Sequence, residues 1–187
     1  MPVDLNALIH DALQLNAAHA AISDTSSIVF DETYRKYCEQ NRCGQYDTNW
    51  MGPPAIGPIS ELKERVLKYK QGLLFQTIYT YQGTGLFDYK GMKEGMKVHE
   101  RIFREILAMM KTRYSFKSVF PLNAGCCTIC PECAYLDNRK PCRNPDLAVA
   151  SVEAYGIDVM KMEVDAGIPY YNGKGTYSFV GLILFQE

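Results

Sequence analysis

The stretch Thr176-Tyr177-Ser178-Phe179-Val180-Gly181-Leu182-Ile183-Leu184-Phe185 decides the fold. From Val180 to Phe185 every position but the glycine is apolar. A run without polar alternation argues for a strand in the middle of a sheet. Just before it, Tyr170 to Thr176 carries Asn172-Gly173, a dipeptide favoured at hairpin tips, so a hairpin turn is expected there. Two further strands follow from β-branched and aromatic enrichment. Leu73 to Tyr81 (LLFQTIYTY) is one. Phe116 to Leu122 (FKSVFPL) is the other, and its Pro121 suggests an edge or a strand end. Ile28 to Phe30 is a shorter β segment.

Helices fill most of the remainder. Leu5, Leu8, Ile9, Ala12 and Leu13 recur on one side and predict a helix from Asp4 to Ala21, its stripe interrupted by Asn16. Ser60 as N-cap and Glu61 behind it start a helix that runs to about Tyr69 and ends at Gly72. Gly83 and Gly85 turn the chain. Asp88 then caps a long helix from Tyr89 to about Arg113, with Met92, Met96, His99, Phe103, Ile106 and Met110 inward. A histidine on such a stripe reads as a core-edge residue. Asn144 as N-cap and Pro145 at the first helical position predict a helix that Gly156 ends. A short one follows from Asp158 to Ala166. The expected fold is α+β: a mixed or antiparallel sheet of three to five strands, covered by helices on one face as a two-layer sandwich. It forms a single domain over residues 1–187, with the N-terminal helix inside 1–25, a cysteine-containing loop at 34–54 and a second cysteine loop at 125–145.

Composition bounds the function. The 187 residues are 47% hydrophobic and 22% charged, ordinary values for a globular chain with a real core. A net charge of −1 sets up no broad field, so neither nucleic acid nor an anionic membrane is an expected partner. Met1 to Leu5 has no basic and no apolar signal region, so no secretory leader is expected. No apolar run approaches the roughly 18 residues of a membrane span. A chain kept in a reducing cytoplasm with seven cysteines, an odd number, argues for ligands rather than disulfides.

Five of those cysteines lie between Cys126 and Cys142. Cys127, Cys130 and Cys133 are spaced C-x2-C-x2-C, and Cys142 follows after eight residues. Thiolates repel one another, so such a set needs a cation between them: an iron–sulfur cluster or zinc. Zinc sites more often show two C-x2-C knuckles a dozen or more residues apart, whereas consecutive knuckles favour a [4Fe–4S] cluster. The helix expected from Pro145 would aim its N-terminus near Cys142 and support an anionic cluster. Arg139, Lys140 and Arg143 add positive charge that offsets a cluster or greets an anionic ligand; a solvated basic turn is the plain alternative. Cys126 is the extra thiol: a spare ligand, a redox-active group or a small buried residue. Cys38 and Cys43, in C-x4-C spacing, are two small buried cysteines, half of a second thiolate site, or outer contacts of the first.

The order AGCCTICPECAYLDNRKPCRNPDLAVASVEAYGIDV (124–159), preceded by CEQNRCGQYDTNWMGPPAIGP (38–58) and closed by YYNGKGTYSFVGLIL (170–184), resembles an uncharacterised family of predicted metal-binding bacterial and archaeal proteins. The likeness runs from about Tyr34 to the C-terminus. In that family the earlier element resembles C-x4-C-x8-C-P-P. This chain keeps Cys38, Cys43, Pro53 and Pro54, but Gly52 stands where the third cysteine belongs, which puts a complete second site in question. The resemblance implies metal binding, with iron–sulfur favoured, and no assigned reaction.

Three functions follow from these readings. One is an iron–sulfur protein passing electrons to, or assembling with, a redox-protein partner. Another is a zinc-stabilised interaction module. The third is an enzyme using Cys126 or the cluster. An independent catalytic site has little support: Gly83-Thr84-Gly85 lacks the rest of a Rossmann or P-loop signature, and neither G-x-S-x-G nor H-E-x-x-H occurs.

Overall fold

A computed structural model describes residues 3–81 and 88–187. The turn expected at Gly83 and Gly85 lies outside them. The described residues form four strands and five α-helices: α1 (Leu5–Gln14), β1 (His19–Asp24), α2 (Thr33–Glu39), α3 (Ile59–Leu67), β2 (Gln71–Thr80), α4 (Tyr89–Arg113), β3 (Ser118–Leu122), α5 (Val159–Asp165) and β4 (Thr176–Gln186). The sheet has the order β1-β2-β4-β3, and every pair is antiparallel. The α+β class and the interior place of β4 are as the sequence indicates. Pro121 lies on β3, an edge strand.

Both faces of the sheet are covered. Leu73, Phe75, Ile183 and Phe185 pack with Leu8 and Ala12 of α1 and with Phe103, Ile106 and Met110 of α4. On the other face, Leu74, Leu122, Val180, Leu182 and Leu184 pack with Leu62 and Val66 of α3, Met162 of α5 and the segment 150–157. This exceeds the single covered face expected from the sequence. The physical reason is the same Val180–Phe185 run: with side chains alternating across the sheet, an unbroken apolar strand has an oily half on each side. Gly181 pairs with Phe75, whose ring lies over it, and a Cβ there would stand 2.4 Å from Phe75 Cζ. Gly181→Ala is expected to lower stability by about 1–3 kcal/mol through overpacking, measured by urea unfolding.

Several elements differ from the sequence reading. The first helix stops at Gln14, because Asn16 turns left-handed (φ 70°), and residues 19–21, expected at the helix end, instead open strand β1 (His19–Asp24). Pairing with β2 outweighs the helical stripe. Ile28 to Phe30 is reduced to one bridge, Phe30 to Ile157. The 34–54 loop begins with the helix α2. Helix α3 starts at Ile59 after Pro58, so Ser60 is inside it rather than its cap, and Gly72 belongs to β2. In α4 the inward positions near the start are Gly91, Gly95 and His99, with Met92 and Met96 half-buried. The absent side chain at Gly95 lets α4 approach Tyr79 and Phe179.

Two corrections bear on the cysteine loop and its surroundings. No helix begins at Pro145. Residues 145–147 make one turn, and the chain then extends so that Val149, Ala150 and Val152 enter the core. Asn123 N–H donates to the Ala150 carbonyl and Val152 N–H to the Asn123 carbonyl, each at 2.9 Å, which holds the segment straight. Gly156 (φ 72°) ends only a 3₁₀ turn, Glu153–Tyr155. Likewise Asn172-Gly173 is not a hairpin tip: β4 pairs with β2 and β3, and no strand directly precedes it.

Candidate metal centre

The cysteine loop is delivered by β3 and returned by the 150–152 segment that Asn123 clamps. Asn123 Nδ2 donates to Glu100 Oε2 on α4. His99, 1% exposed, accepts or donates at Nδ1 to Thr77 Oγ1 at 2.8 Å. Burial lowers His99 to about 4, only partly offset by Asn123 and the Val180 carbonyl, so the ring is neutral. Its Nε2 and the Asn123 Oδ1 make no formed hydrogen bond, and each is the other's complement. His99 is thus a core residue behind the root of the loop.

Cys127, Cys130, Cys133 and Cys142 line one cavity of about 260 Å³. Its remaining wall includes Trp50, Met51, Ile129, Leu136 and Asn144. The four thiols are half-buried. Among the described residues they do not converge: no group of three or more Cys, His, Asp or Glu side chains stands close enough to hold a metal ion. The donor chemistry nonetheless fits a metal or cluster. Four soft thiols face a shared space, and polar hydrogens point at sulfur. Asn144 Nδ2 donates to Cys130 Sγ at 3.2 Å. The Ile129 and Val149 backbone N–H groups favour the Cys127 thiolate. Burial pushes Cys127 up, and Cys142 and Cys133 add like-charge repulsion. A cation is what lets such a set ionise together. Hydrogen bonds to sulfur are the outer contacts that orient thiolate ligands and tune what they hold.

The N-terminal loop forms the far wall. Trp50 Nε1 donates to the Lys140 carbonyl at 2.8 Å, and its ring meets Tyr135 edge-on at 5.0 Å. Tyr135 O–H donates to Asp47 Oδ1. These ties close residues 45–51 over the cysteine loop. A Cβ at Gly52 would meet the Asn49 side chain first, at 3.3 Å.

The other sequence-predicted residues stand around this cavity. Arg139 pairs with Asp47 at 3.9 Å and lies over the Tyr135 ring. Lys140 pairs with Asp137 at 2.6 Å. Arg143 Nη2 donates to the Glu132 carbonyl at 2.7 Å. None of the three lines the cavity, and their described contacts tie the loop to itself and to the 45–51 wall. Cys38 lies in α2 and Cys43 in the turn after it, outside the cavity. Burial raises the Cys38 thiol, with Arg35 opposing and Cys43 adding repulsion. Cys126 is likewise raised by burial first, then by Cys127 and Cys43. Cys43 therefore lies within electrostatic reach of both. Asn144, Trp50 and Asp47 escaped the sequence reading as site residues; an asparagine in Pro-Cys-Arg-Asn-Pro beside a ligand-spaced cysteine was the available signal for the first.

Fold and site together define a class: an α+β domain presenting a cysteine-walled cavity at the root of an edge strand. The chain belongs to the family described as predicted metal-binding protein (DUF2284), whose profile matches residues 21–185. Comparison with curated proteins and with solved structures gives no match. Metal binding is the property this family assignment carries. No helix among the described residues is long and apolar enough to cross a membrane.

Proposed function

We propose that Cys127, Cys130, Cys133 and Cys142 hold a [4Fe–4S] cluster that passes electrons to a redox-protein partner in the cytoplasm. The observation that carries this reading is the shared cavity: four thiols at C-x2-C-x2-C…C spacing line one space of about 260 Å³. Consecutive C-x2-C knuckles suit a multi-atom cluster better than a single zinc ion, whose ligands more often come as two C-x2-C knuckles farther apart.

At the cavity, Leu136 is 53% exposed, and Leu147, next to the lining Ala148, is 51% exposed. Exposed apolar side chains of this kind beside the cavity suit a docking partner. Arg139, Lys140 and Arg143 are assigned to offsetting the charge of an anionic cluster from outside its walls. Cys38 and Cys43 are assigned, with Cys126, to an outer thiol group beside the first site.

The test is anaerobic purification. The expected preparation is brown, with iron and acid-labile sulfide; a colourless one holding one zinc per chain replaces this reading by a zinc-stabilised interaction module. Asn144→Ala, which removes the hydrogen bond to Cys130 Sγ, is expected to weaken metal retention by about 10–100-fold in a chelator competition, with circular dichroism unchanged.

A further inference from the structure

A second and larger cavity, of about 420 Å³, lies between β4, α5, the Glu153–Tyr155 turn and the segment before β4. Its walls carry two carboxylates, Glu153 and Glu163, the rings of Tyr34, Tyr170 and Tyr171, and Asn172. No lysine, arginine or histidine is among the described residues that line it. Its volume falls within the range of small-molecule pockets.

Glu163 is 1% exposed and is held from behind by the sheet. Gln76, fully buried on β2, donates from Nε2 to Glu163 Oε1 at 2.6 Å. Asn172 Nδ2 stands 2.9 Å from both Gln76 Oε1 and Ser178 Oγ. The other carboxyl oxygen of Glu163 takes no hydrogen bond from the described residues. A buried carboxyl with an open oxygen is unfavourable unless something meets it. Glu153 is solvent-exposed and lines the same cavity. Its charge lies close enough to oppose ionisation of Glu163. Two acids therefore face one space with no basic side chain on its walls, while the tyrosine faces add further negative potential.

We infer that this cavity binds a small organic cation, an amine or quaternary ammonium, whose charge meets Glu163 and Glu153 and whose alkyl body lies against Tyr34, Tyr170 and Tyr171. A bare divalent ion is disfavoured, since calcium takes six to eight oxygen ligands and these walls offer two carboxylates amid aromatic rings. The site is separate from the thiol cavity and does not rest on the cluster reading. Ala124, two residues before Cys126, forms part of its wall and places the ligand beside the cysteine loop.

The test titrates the full-length protein, as purified with its metal, by calorimetry. The probes are tert-butylammonium, choline and putrescine, alongside the uncharged tert-butanol and the anion pivalate. At least one cation is expected to bind saturably in the millimolar range or tighter, and tert-butanol and pivalate not to bind. Glu163→Gln, which keeps the shape, is expected to weaken cation binding about tenfold or more. Tyr171→Ala, at a ring 73% exposed and so tolerable to the fold, is expected to weaken it severalfold. Cys130→Ser is expected to leave it unchanged. No saturable binding by any of the three cations up to tens of millimolar overturns the inference. So does equal binding of tert-butanol, or an affinity unaltered by both Glu163→Gln and Glu153→Gln. Loss of cation binding in a folded Cys130→Ser chain overturns the independence of the two sites.

Discussion

Serine at Cys127, Cys130, Cys133 or Cys142 is expected to yield protein without bound cluster, whereas Cys126→Ser retains it. The four share one cavity and Cys126 is not on its wall. Removing one of four thiolates leaves an open position and a cluster exposed to solvent and oxidation, so loss should be nearly complete rather than graded. The readout is iron and acid-labile sulfide per chain, with the broad visible absorption of the anaerobic preparation. Loss of metal in Cys126→Ser, or its retention in Cys130→Ser, would refute the ligand set. The Cys38→Ser/Cys43→Ser double variant is expected to keep the visible band. A fall in iron per chain with the band preserved assigns that pair to a second site, and a metal-to-chain ratio decides it directly.

The second large effect concerns pH and Glu163. Burial lifts its carboxyl from 4.5 to about 7, with the Gln76 hydrogen bond opposing and the Glu153 charge adding to the rise. The folded state therefore holds this proton more tightly than the unfolded chain. Its contribution to stability is complete below pH 4.5 and is lost as pH rises through about 7. The loss is on the order of 3 kcal/mol at most. Glu163→Gln cannot ionise, so its unfolding free energy should decline less between pH 5 and pH 8 than that of the parent chain. Urea unfolding at several pH values measures the difference. Parallel pH curves for the two proteins would show that Glu163 is already ionised in the fold. A bound organic cation should reduce the same loss, since it favours the charged carboxylate.

How much was legible in the sequence depends on the range of the forces involved. The apolar run Val180–Phe185 announced a central strand, because burial on both sides of a strand is written in its own residues. Asp88 and Asp158 cap their helices as the local rule requires, each accepting backbone N–H groups of the first turn. The spacing of Cys127, Cys130, Cys133 and Cys142 marked the loop, since ligand geometry needs near neighbours on the chain. Local rules failed where a distant partner made a better offer. Asn144-Pro145 is a sound helix start, yet pairing of Asn123 with the 150–152 backbone pulls the segment straight and turns the Asn144 side chain to Cys130. Residues 19–21 fit a helix, yet their backbone groups find strand partners on β2.

By itself, then, the sequence determined the α+β class, the middle strand, the four-thiol loop and the family to which the chain belongs, all features carried by composition or by short spacings. The strand order, the covering of both sheet faces, and the closing of the 45–51 loop over the cysteines arise from long-range contacts. The tertiary structure also joined buried Gln76 and Glu163 and half-buried Asn172, the last two separated by 87 and 96 positions from the glutamine, into one hydrogen-bonded network. Such contacts rest on hydrogen bonds and packing between segments far apart in the chain, and no local pattern encodes them.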